Sequence, residues 1–256
     1  MTLMRSLLFN LWFYGITLVL ASFTLLPRLC HALRRRGSEQ PSPPPSWPMP
    51  VARLWARLVL GALRPLCGIT WEVSGREHLP ASGPALIASM HQSAFDTMVW
   101  LLLVPDTCYV LKRELQRIPL FGPITRDAGM ISVDRGAGAA AIRSLLTGAD
   151  NALARGRQIV IFPEGTRATP GAPLVLHPGI AALAARTGLP VIPVATDSGH
   201  CWGRRAFRKH PGRIHIAIAP PLPARLRRGE LMARLERSFA EGSAALAGGA
   251  VDNSVG

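Results

Sequence analysis

Beyond about residue 68, short apolar runs alternate with longer segments in which apolar residues recur every three or four positions. The short runs have the length of buried strands, and the longer segments have the period of amphipathic helices. This alternation predicts an α/β layered domain over residues 67–247, with a central sheet flanked by helices, and a disordered tail over residues 248–256. The predicted strands are residues 69–73, 85–90, 108–111, 130–133, 158–162, 190–196 and 214–219, and the predicted helices are residues 94–103, 138–155, 178–187 and 230–246.

The N-terminal region has a different pattern. Residues 7–26 contain no charged side chain, and Pro27 follows them. A helix of that length can cross the hydrocarbon core of a bilayer, which is about 30 Å thick. A secretory signal peptide has a shorter apolar region and a more basic flank than Arg5 alone supplies, so a retained membrane helix that ends at Pro27 is the favoured prediction. A re-entrant or interfacial hairpin is an alternative to a helix that spans.

Residues 38–50 are rich in proline and predict an extended linker. A second helix is predicted from Val51 to Leu66, because its apolar residues recur at helical spacing. Its arginines lie off the apolar face, as in helices at an anionic bilayer interface, and the alternative is a helix that packs this face on the domain. Residues 1–66 are therefore predicted to be membrane-anchoring helices. Arginines that follow the first apolar segment predict a cytoplasmic domain.

The chain is strongly basic. Its 256 residues include 29 Lys and Arg against 15 Asp and Glu, a formal net charge of +14, and 48% of them are hydrophobic. The apolar content excludes a disordered protein, and four Cys without a Cys-x-x-Cys pair exclude a disulfide scaffold. The charge indicates a polyanionic partner. Arginines dominate the first 60 residues and form a cluster near residues 204–209, and few aromatic residues accompany them, so anionic membrane lipids are expected rather than nucleic acid.

Two predicted strands end in polar clusters, and the ends of strands are where α/β folds build their sites. The strand over residues 85–90 leads to His91, with Asp96 in the first turn of the next helix. A carboxylate bonded to one imidazole nitrogen fixes the tautomer, and the other nitrogen can then take a proton from a hydroxyl. The alternative is structural, because Ser93 and Asp96 have the spacing of a capping box at a helix start.

The strand over residues 158–162 leads to the run Phe-Pro-Glu-Gly-Thr-Arg at residues 162–167. Glu164 and Arg167 could instead pair at the surface, and Pro163 and Gly165 could form only a turn. The sequence contains no metal-ligand spacing, phosphate-binding glycine loop or dinucleotide fingerprint. We therefore predict no bound cofactor and no metal.

Four segments, in this order, resemble the motif blocks of the glycerolipid acyltransferase family, especially of its bacterial members that acylate 1-acyl-sn-glycerol-3-phosphate. The run from Lys112 to Leu115, with Ile-Pro and Phe-Gly after it, also resembles the family. The resemblance covers about residues 70–200, and residues 162–167 are its most specific part. The segments are His-Gln-Ser-Ala-Phe-Asp at residues 91–96, Gly-Met-Ile-Ser-Val-Asp-Arg at 129–135, Phe-Pro-Glu-Gly-Thr-Arg at 162–167 and Val-Ile-Pro-Val-Ala at 191–195.

The resemblance implies an acyltransferase. The expected reaction moves a fatty acyl group from an acyl thioester, either acyl-CoA or acyl carrier protein, to the sn-2 hydroxyl of a lysophospholipid acceptor, 1-acyl-sn-glycerol-3-phosphate. The product is phosphatidic acid for phospholipid biosynthesis. The thioester is a co-substrate, so no cofactor is implied. The resemblance implies that His91 is the general base and that Asp96 is its orienting carboxylate. It implies that Arg135 and Arg167 bind the acceptor phosphate, and that Glu164, Gly165 and Thr166 belong to the acceptor site. Lys112 is a further phosphate contact, unless it is only solvated.

Two departures leave the acceptor open. Met90 stands where the family usually has Asn, and Ser132 stands where an aromatic or aliphatic residue is common. Family members that acylate lyso-ornithine lipid, which has no phosphate, share the same blocks, so that acceptor is an alternative. A catalytically inactive, basic membrane- or nucleic-acid-binding protein is the alternative from another class. The expected location is the bacterial inner membrane, with the catalytic domain on the cytoplasmic side.

Overall fold

The computed structural model describes residues 2–36, 45–119 and 121–252 of the chain. Most of the predicted elements are found within two residues of their expected ends. Short 3-10 helices at Arg76–His78, Arg113–Arg117 and Arg135–Ala137 connect larger elements. The α-helices are α1 Thr2–Phe23, α2 Leu25–Arg36, α3 Pro48–Cys67, α4 Phe95–Leu103, α5 Phe121–Asp127, α6 Ala139–Leu153, α7 Gly179–Thr187, α8 Ser198–Cys201 and α9 Arg228–Asp252, and the strands are β1 Ile69–Ser74, β2 Ala85–Ser89, β3 Thr107–Lys112, β4 Ile131–Val133, β5 Gln158–Ile161, β6 Val191–Thr196 and β7 Gly212–Ile218.

The strands form one seven-stranded sheet in the order β1-β7-β6-β2-β5-β3-β4. Neighbouring strands are parallel except β6 and β7, so β1 and β7 run opposite to the other five. Buried apolar clusters lie on the sheet together with the helices, which confirms the predicted α/β class with a central sheet flanked by helices. Because β2 and β5 are parallel neighbours, with Ala88 beside Ile161, the polar segments that follow them emerge side by side.

The N-terminal apolar helix breaks earlier than predicted. Helix α1 ends at Phe23, and Pro27 lies in the first turn of α2 rather than after the last residue of a helix. Proline lacks an N–H and its ring clashes with the carbonyl four residues earlier, which here belongs to Phe23. The break therefore falls upstream of the proline, and a second helix continues beyond it.

Helix α1 packs along α3. Phe9 is fully buried, the indole of Trp12 donates to the Leu58 carbonyl at 3.1 Å, and the indole of Trp55 donates to the Thr17 hydroxyl at 2.9 Å. The opposite face of α1 is exposed and apolar, and the segment Thr2–Cys30 is long and apolar enough to cross a membrane. One face of α1 is thus part of the domain's core, whereas the other face has no protein cover among the described residues.

Helix α3 packs its apolar stripe on the domain, which was the alternative interpretation of its pattern. Val59 and Leu63 are fully buried, whereas Arg57 and Arg64 face solvent. The helix also begins at Pro48, inside the predicted linker of residues 38–50, because proline is well tolerated in the first turn, where its missing N–H has no intrahelical partner. Residues 37–44 of that linker lie outside the described residues.

The last helix, α9, runs to Asp252 and so continues past the predicted end at residue 246. It therefore includes the first part of the predicted tail of residues 248–256. The final four residues lie outside the described part of the chain. Leu235 and Phe239 of α9 are buried against the sheet, so tertiary packing stabilises this helix.

Arg157, directly before β5, ties the start of β3 to the segment that precedes β4. Its guanidinium donates to Asp106 Oδ1 at 3.1 Å and to the carbonyls of Ala128, Gly129 and Thr107 at 2.9, 3.1 and 2.7 Å. Arg157 is 4% exposed, so water has little access to its guanidinium. No sequence motif indicated this role.

Replacing Arg157 with methionine is expected to lower the free energy of unfolding by about 3 kcal/mol, because the buried Thr107 carbonyl and three part-buried acceptors lose their donor. Arg155→Met is the matched control, since Arg155 is exposed and only two residues away. Chemical denaturation measures both variants. Equal stability of the two would contradict this role for Arg157.

Candidate active site

His91 and Asp96 meet in the turn that joins β2 to α4. His91 Nδ1 lies 3.2 Å from Asp96 Oδ2, and Asp96 is 2% exposed. The same oxygen accepts the backbone N–H groups of Gln92 and Ser93, each at 2.7 Å. The bond to Ser93 is the contact expected of a capping box, so Asp96 has this structural role as well as its contact with His91, and the catalytic role stays a prediction. The carboxylate fixes Nδ1 as the donor and leaves Nε2 as the basic nitrogen.

The His91 ring is held in place by aromatic stacking. Its centroid lies 4.2 Å from that of Phe162, with 22° between the planes, and Tyr109 stacks behind Phe162 at 6.2 Å. The Tyr109 hydroxyl donates to the Thr97 carbonyl at 2.6 Å. A ring fixed at one nitrogen and on one face presents Nε2 in a single direction, and Nε2 has no partner among the described residues.

Glu164 is buried beside the pair. It is 6% exposed, and its Oε2 accepts the backbone N–H of His91 at 2.6 Å. Its Oε1 is buried without a partner among the described residues. Burial raises the pKa of Glu164 to about 8. The hydrogen bond from the His91 N–H lowers this pKa, and the negative charge of Asp96 raises it further. In the folded protein the protonated form of this carboxyl is therefore favoured at neutral pH.

This shift predicts a pH dependence of stability. Because the pKa of Glu164 in the folded protein lies above its ordinary value of 4.5, the folded state holds the proton more tightly than the unfolded state. The resulting stabilisation is complete below about pH 4.5 and is lost as the pH rises through about 8. Urea denaturation across this range should show that wild-type protein loses stability relative to Glu164→Gln. Parallel curves would contradict the shift.

Arg135 and Arg167 lie at the same edge of the sheet. Arg135 follows β4, and its Nη1 donates to the Gly165 carbonyl. This hydrogen bond joins the segment of residues 129–135 to the segment of residues 162–167. Arg167 is half-buried, and its pKa is lowered mainly by desolvation. The charge of Asp96 opposes this shift, and the charges of Arg204 and Arg205 add to it. Gly165 has φ of 70°, and a Cβ there would lie 2.7 Å from the His177 ring, so only glycine fits this turn. Thr166 is exposed beside it.

Lys112 is a predicted site residue that lies at the surface. It ends β3 at the same edge of the sheet, and it is exposed and forms an ion pair with Glu114 at 3.0 Å. A surface pair of this kind is readily exchanged for another partner. Its contact with an acceptor phosphate stays a prediction.

One polar contact of the site has no signal in the sequence. Gln92 is buried, and its Oε1 accepts the Gly199 N–H at 3.0 Å, although the two residues are 107 positions apart. A Cβ at Gly199 would lie 2.7 Å from Pro170 and 2.9 Å from Gln92 Oε1, so a side chain there would force the segments apart. No local pattern marks such a pair, because the partner comes from a distant segment.

Comparison with known proteins places these residues in a family. A model of the acyltransferase family matches residues 70–197, which include both strand-end clusters and Arg135. The chain is 36% identical over 174 residues to the 1-acyl-sn-glycerol-3-phosphate acyltransferase of Pseudomonas aeruginosa, covering 68% of this chain and 67% of that protein. It is 33% identical over 171 residues to the 1-acyl-sn-glycerol-3-phosphate acyltransferase alpha of Bos taurus, covering 65% of this chain and 59% of the bovine protein.

The fold is also known. The crystal structure of the 1-acyl-sn-glycerophosphate (LPA) acyltransferase PlsC from Thermotoga maritima superposes with a TM-score of 0.73 at 23% identity, over 96% of this chain and 98% of that one. This likeness shows a shared fold. The family model and the Pseudomonas relative carry the assignment further: the chain belongs to the acyltransferase family.

Proposed function

We propose that the protein transfers a fatty acyl group from an acyl thioester to the sn-2 hydroxyl of 1-acyl-sn-glycerol-3-phosphate and so makes phosphatidic acid. The observation that carries the proposal is the contact of 3.2 Å between His91 and Asp96. It lies next to a turn that contains Arg167 and accepts a hydrogen bond from Arg135. The names of the Pseudomonas and bovine relatives support this acceptor.

The proton has a balanced path. His91 Nε2 takes the proton from the acceptor hydroxyl as its oxygen attacks the thioester carbonyl carbon, and Asp96 stabilises the imidazolium that forms. When the tetrahedral intermediate collapses, the carbon–sulfur bond breaks, and the imidazolium returns the proton to the departing thiolate. No metal or cofactor is needed for this balance, and we propose that none takes part.

The oxyanion of the intermediate needs hydrogen-bond donors. The Gly165 N–H is not available, because it already donates to the Phe162 carbonyl at 3.0 Å. The amides of Thr166 and Arg167 have no acceptor among the described residues and follow directly in the same turn. We propose these two amides as the donors.

The arginines distinguish this acceptor from a lysolipid without a phosphate. Arg135 and Arg167 present guanidinium forks, which suit a dianionic phosphomonoester. Desolvation strengthens such contacts, since Arg167 is half-buried. A lyso-ornithine lipid would leave both groups without an equivalent partner.

Turnover with both acceptors tests the function. The purified protein, with acyl-CoA and acyl carrier protein thioesters supplied in turn, should acylate 1-acyl-sn-glycerol-3-phosphate with the higher kcat/KM. Activity confined to lyso-ornithine lipid would overturn the choice of acceptor. Absence of turnover with every pair, together with binding of anionic vesicles, would favour the inactive binding protein. The same assays identify the preferred carrier of the acyl group.

We also propose that α1 lies in the membrane interface on the cytoplasmic side of the inner membrane rather than across the bilayer. Arg5 Nε donates to the Leu66 carbonyl at 2.9 Å, and the Ser6 hydroxyl accepts the Lys209 N–H at 2.9 Å, so the start of α1 is held against the domain. A spanning helix would carry these residues to the opposite surface. The exposed apolar face of α1 is suited to shallow insertion.

Cysteine labelling tests this topology. A cysteine in place of Thr2, in a Cys30→Ser background, should react with a membrane-impermeant maleimide in inverted vesicles and not in intact spheroplasts. The matched control is wild-type Cys30, which is exposed on α2 and should show the same sidedness. Labelling of residue 2 from outside the cell would contradict the interfacial placement.

A further inference from the structure

A basic loop lies between α1 and the candidate active site. It comprises residues 203–208, follows α8, and carries the exposed side chains of Arg204, Arg205 and Arg208. Phe207 stands among these arginines and is 50% exposed. The ion pairs found among the described residues include none of the three. Unpaired arginines around an exposed aromatic ring suit an anionic surface with an apolar interior.

The basic loop is tied to the candidate active site at two points. Arg204 Nη1 donates to the Arg167 carbonyl at 3.4 Å. The helix that precedes the loop is held to the turn of His91 by the bond of 3.0 Å from the Gly199 N–H to Gln92. After desolvation, the charges of Arg204 and Arg205 are among the causes that lower the pKa of Arg167. Positive charge is therefore continuous from the loop to the predicted phosphate site.

The basic loop is also tied to α1, through a buried lysine. Lys209 is 3% exposed, and its ammonium bonds the side-chain oxygen of Asn10 and the carbonyls of Ala206 and Phe207, the latter two at 3.3 and 3.1 Å. Asn10 Nδ2 donates to the Phe207 carbonyl at 3.1 Å. These contacts give a structural role to Asn10, an amide side chain within the uncharged run of residues 7–26. They fix the loop beside the exposed apolar face of α1.

We propose that the basic loop is the membrane-side entrance for the anionic acceptor, where Arg204 and Arg205 bind the headgroup phosphate at the bilayer surface and deliver it to Arg167. This inference rests on the proposed function. A lipid surface is the partner that the structure favours over an acidic carrier protein, because Phe207 is exposed and its carbonyl is bonded to Asn10 of α1, the helix with an exposed apolar face. Phe207 then inserts between headgroups while the arginines contact their phosphates.

The test compares two double variants with the same loss of charge. Arg204→Ala/Arg205→Ala alters the loop, and Arg225→Ala/Arg227→Ala is the matched control. The control residues are also exposed. They follow Leu222, which pairs with Val191 at the start of β6, whereas the candidate active site lies where β2 and β5 end. The backbone is matched as well, since Arg205 and Arg225 have φ of 55° and 61°. The acceptor is presented in vesicles. In the loop variant the KM of the acceptor should rise on the order of tenfold, whereas kcat and the KM of the thioester should be unchanged.

Two kinetic results would overturn the proposal. The first is an equal rise of acceptor KM in both double variants, which would show an effect of total charge. The second is a rise in KM for the acyl carrier protein thioester with acceptor KM unchanged, which would make the loop a docking surface for the carrier.

Flotation with phosphatidylglycerol vesicles, without substrate, separates this proposal from the proposed function. The loop variant and Phe207→Ser should each float less than the control variant, even if the wild-type protein turns over no lysophosphatidic acid. Equal flotation of all the variants would overturn the proposal that the basic loop is the membrane-side entrance, whether or not the wild-type protein acylates lysophosphatidic acid. Absence of wild-type turnover would count against the proposed function alone.

Discussion

Replacing His91 with alanine is expected to lower kcat for phosphatidic acid formation by about 10³, with little change in the KM of either substrate. The variant loses the basic nitrogen but keeps the backbone of the turn. The His91 N–H still bonds Glu164, and the His91 carbonyl still accepts the Ala168 N–H at 2.7 Å. The loss should therefore be chemical rather than structural. Steady-state kinetics with saturating thioester measure it.

His78→Ala is the matched control for this loss. His78 lies in the 3-10 helix after β1, at the opposite edge of the sheet, and its side chain is 28% exposed. The control should retain wild-type kcat, and circular dichroism should show the same fold for both variants. A wild-type kcat in the His91→Ala protein would show that His91 is not the general base.

Replacing Arg167 with alanine is expected to raise the KM of lysophosphatidic acid on the order of 100-fold, because a partly desolvated contact to a phosphate loses its charged partner. Arg167→Lys should recover only part of this loss, since a lysine supplies the charge without the bidentate fork. Arg143→Ala, an exposed position on α6, should leave KM unchanged.

A second acceptor sharpens this prediction. If Arg167 binds the phosphate, its replacement should have little effect on an acceptor that has no phosphate, such as 1-monoacylglycerol. Comparing wild type and variant with both acceptors then isolates the contact between Arg167 and the phosphate. An equal loss with both acceptors would indicate that Arg167 supports the turn rather than the phosphate.

The strands and the two polar clusters could be predicted because their signals are local. Residues 85–90 and 158–162 are apolar runs with a polar segment directly after each, and both clusters lie at the same edge of the sheet. The contact between His91 and Asp96 follows from five positions of chain around a helix start. Short-range patterns of this kind leave little freedom for another arrangement.

The contacts that hold the site to the rest of the molecule could not be predicted in this way. The Gln92–Gly199 bond and the Lys209–Asn10 bond join residues more than 100 positions apart. The placement of β7 between β1 and β6, antiparallel to β6, is likewise set by long-range packing. Pro27 predicts a helix end at the proline itself, whereas its steric clash acts on the turn before it.

The most direct test of the account is the structure of the His91→Ala protein with 1-acyl-sn-glycerol-3-phosphate bound. We predict the acceptor phosphate within hydrogen-bond distance of Arg135 and Arg167. We also predict the sn-2 hydroxyl about 3 Å from the position that Nε2 occupies in the wild-type protein. A phosphate bound away from both arginines, or an sn-2 hydroxyl pointing away from Asp96, would contradict the account.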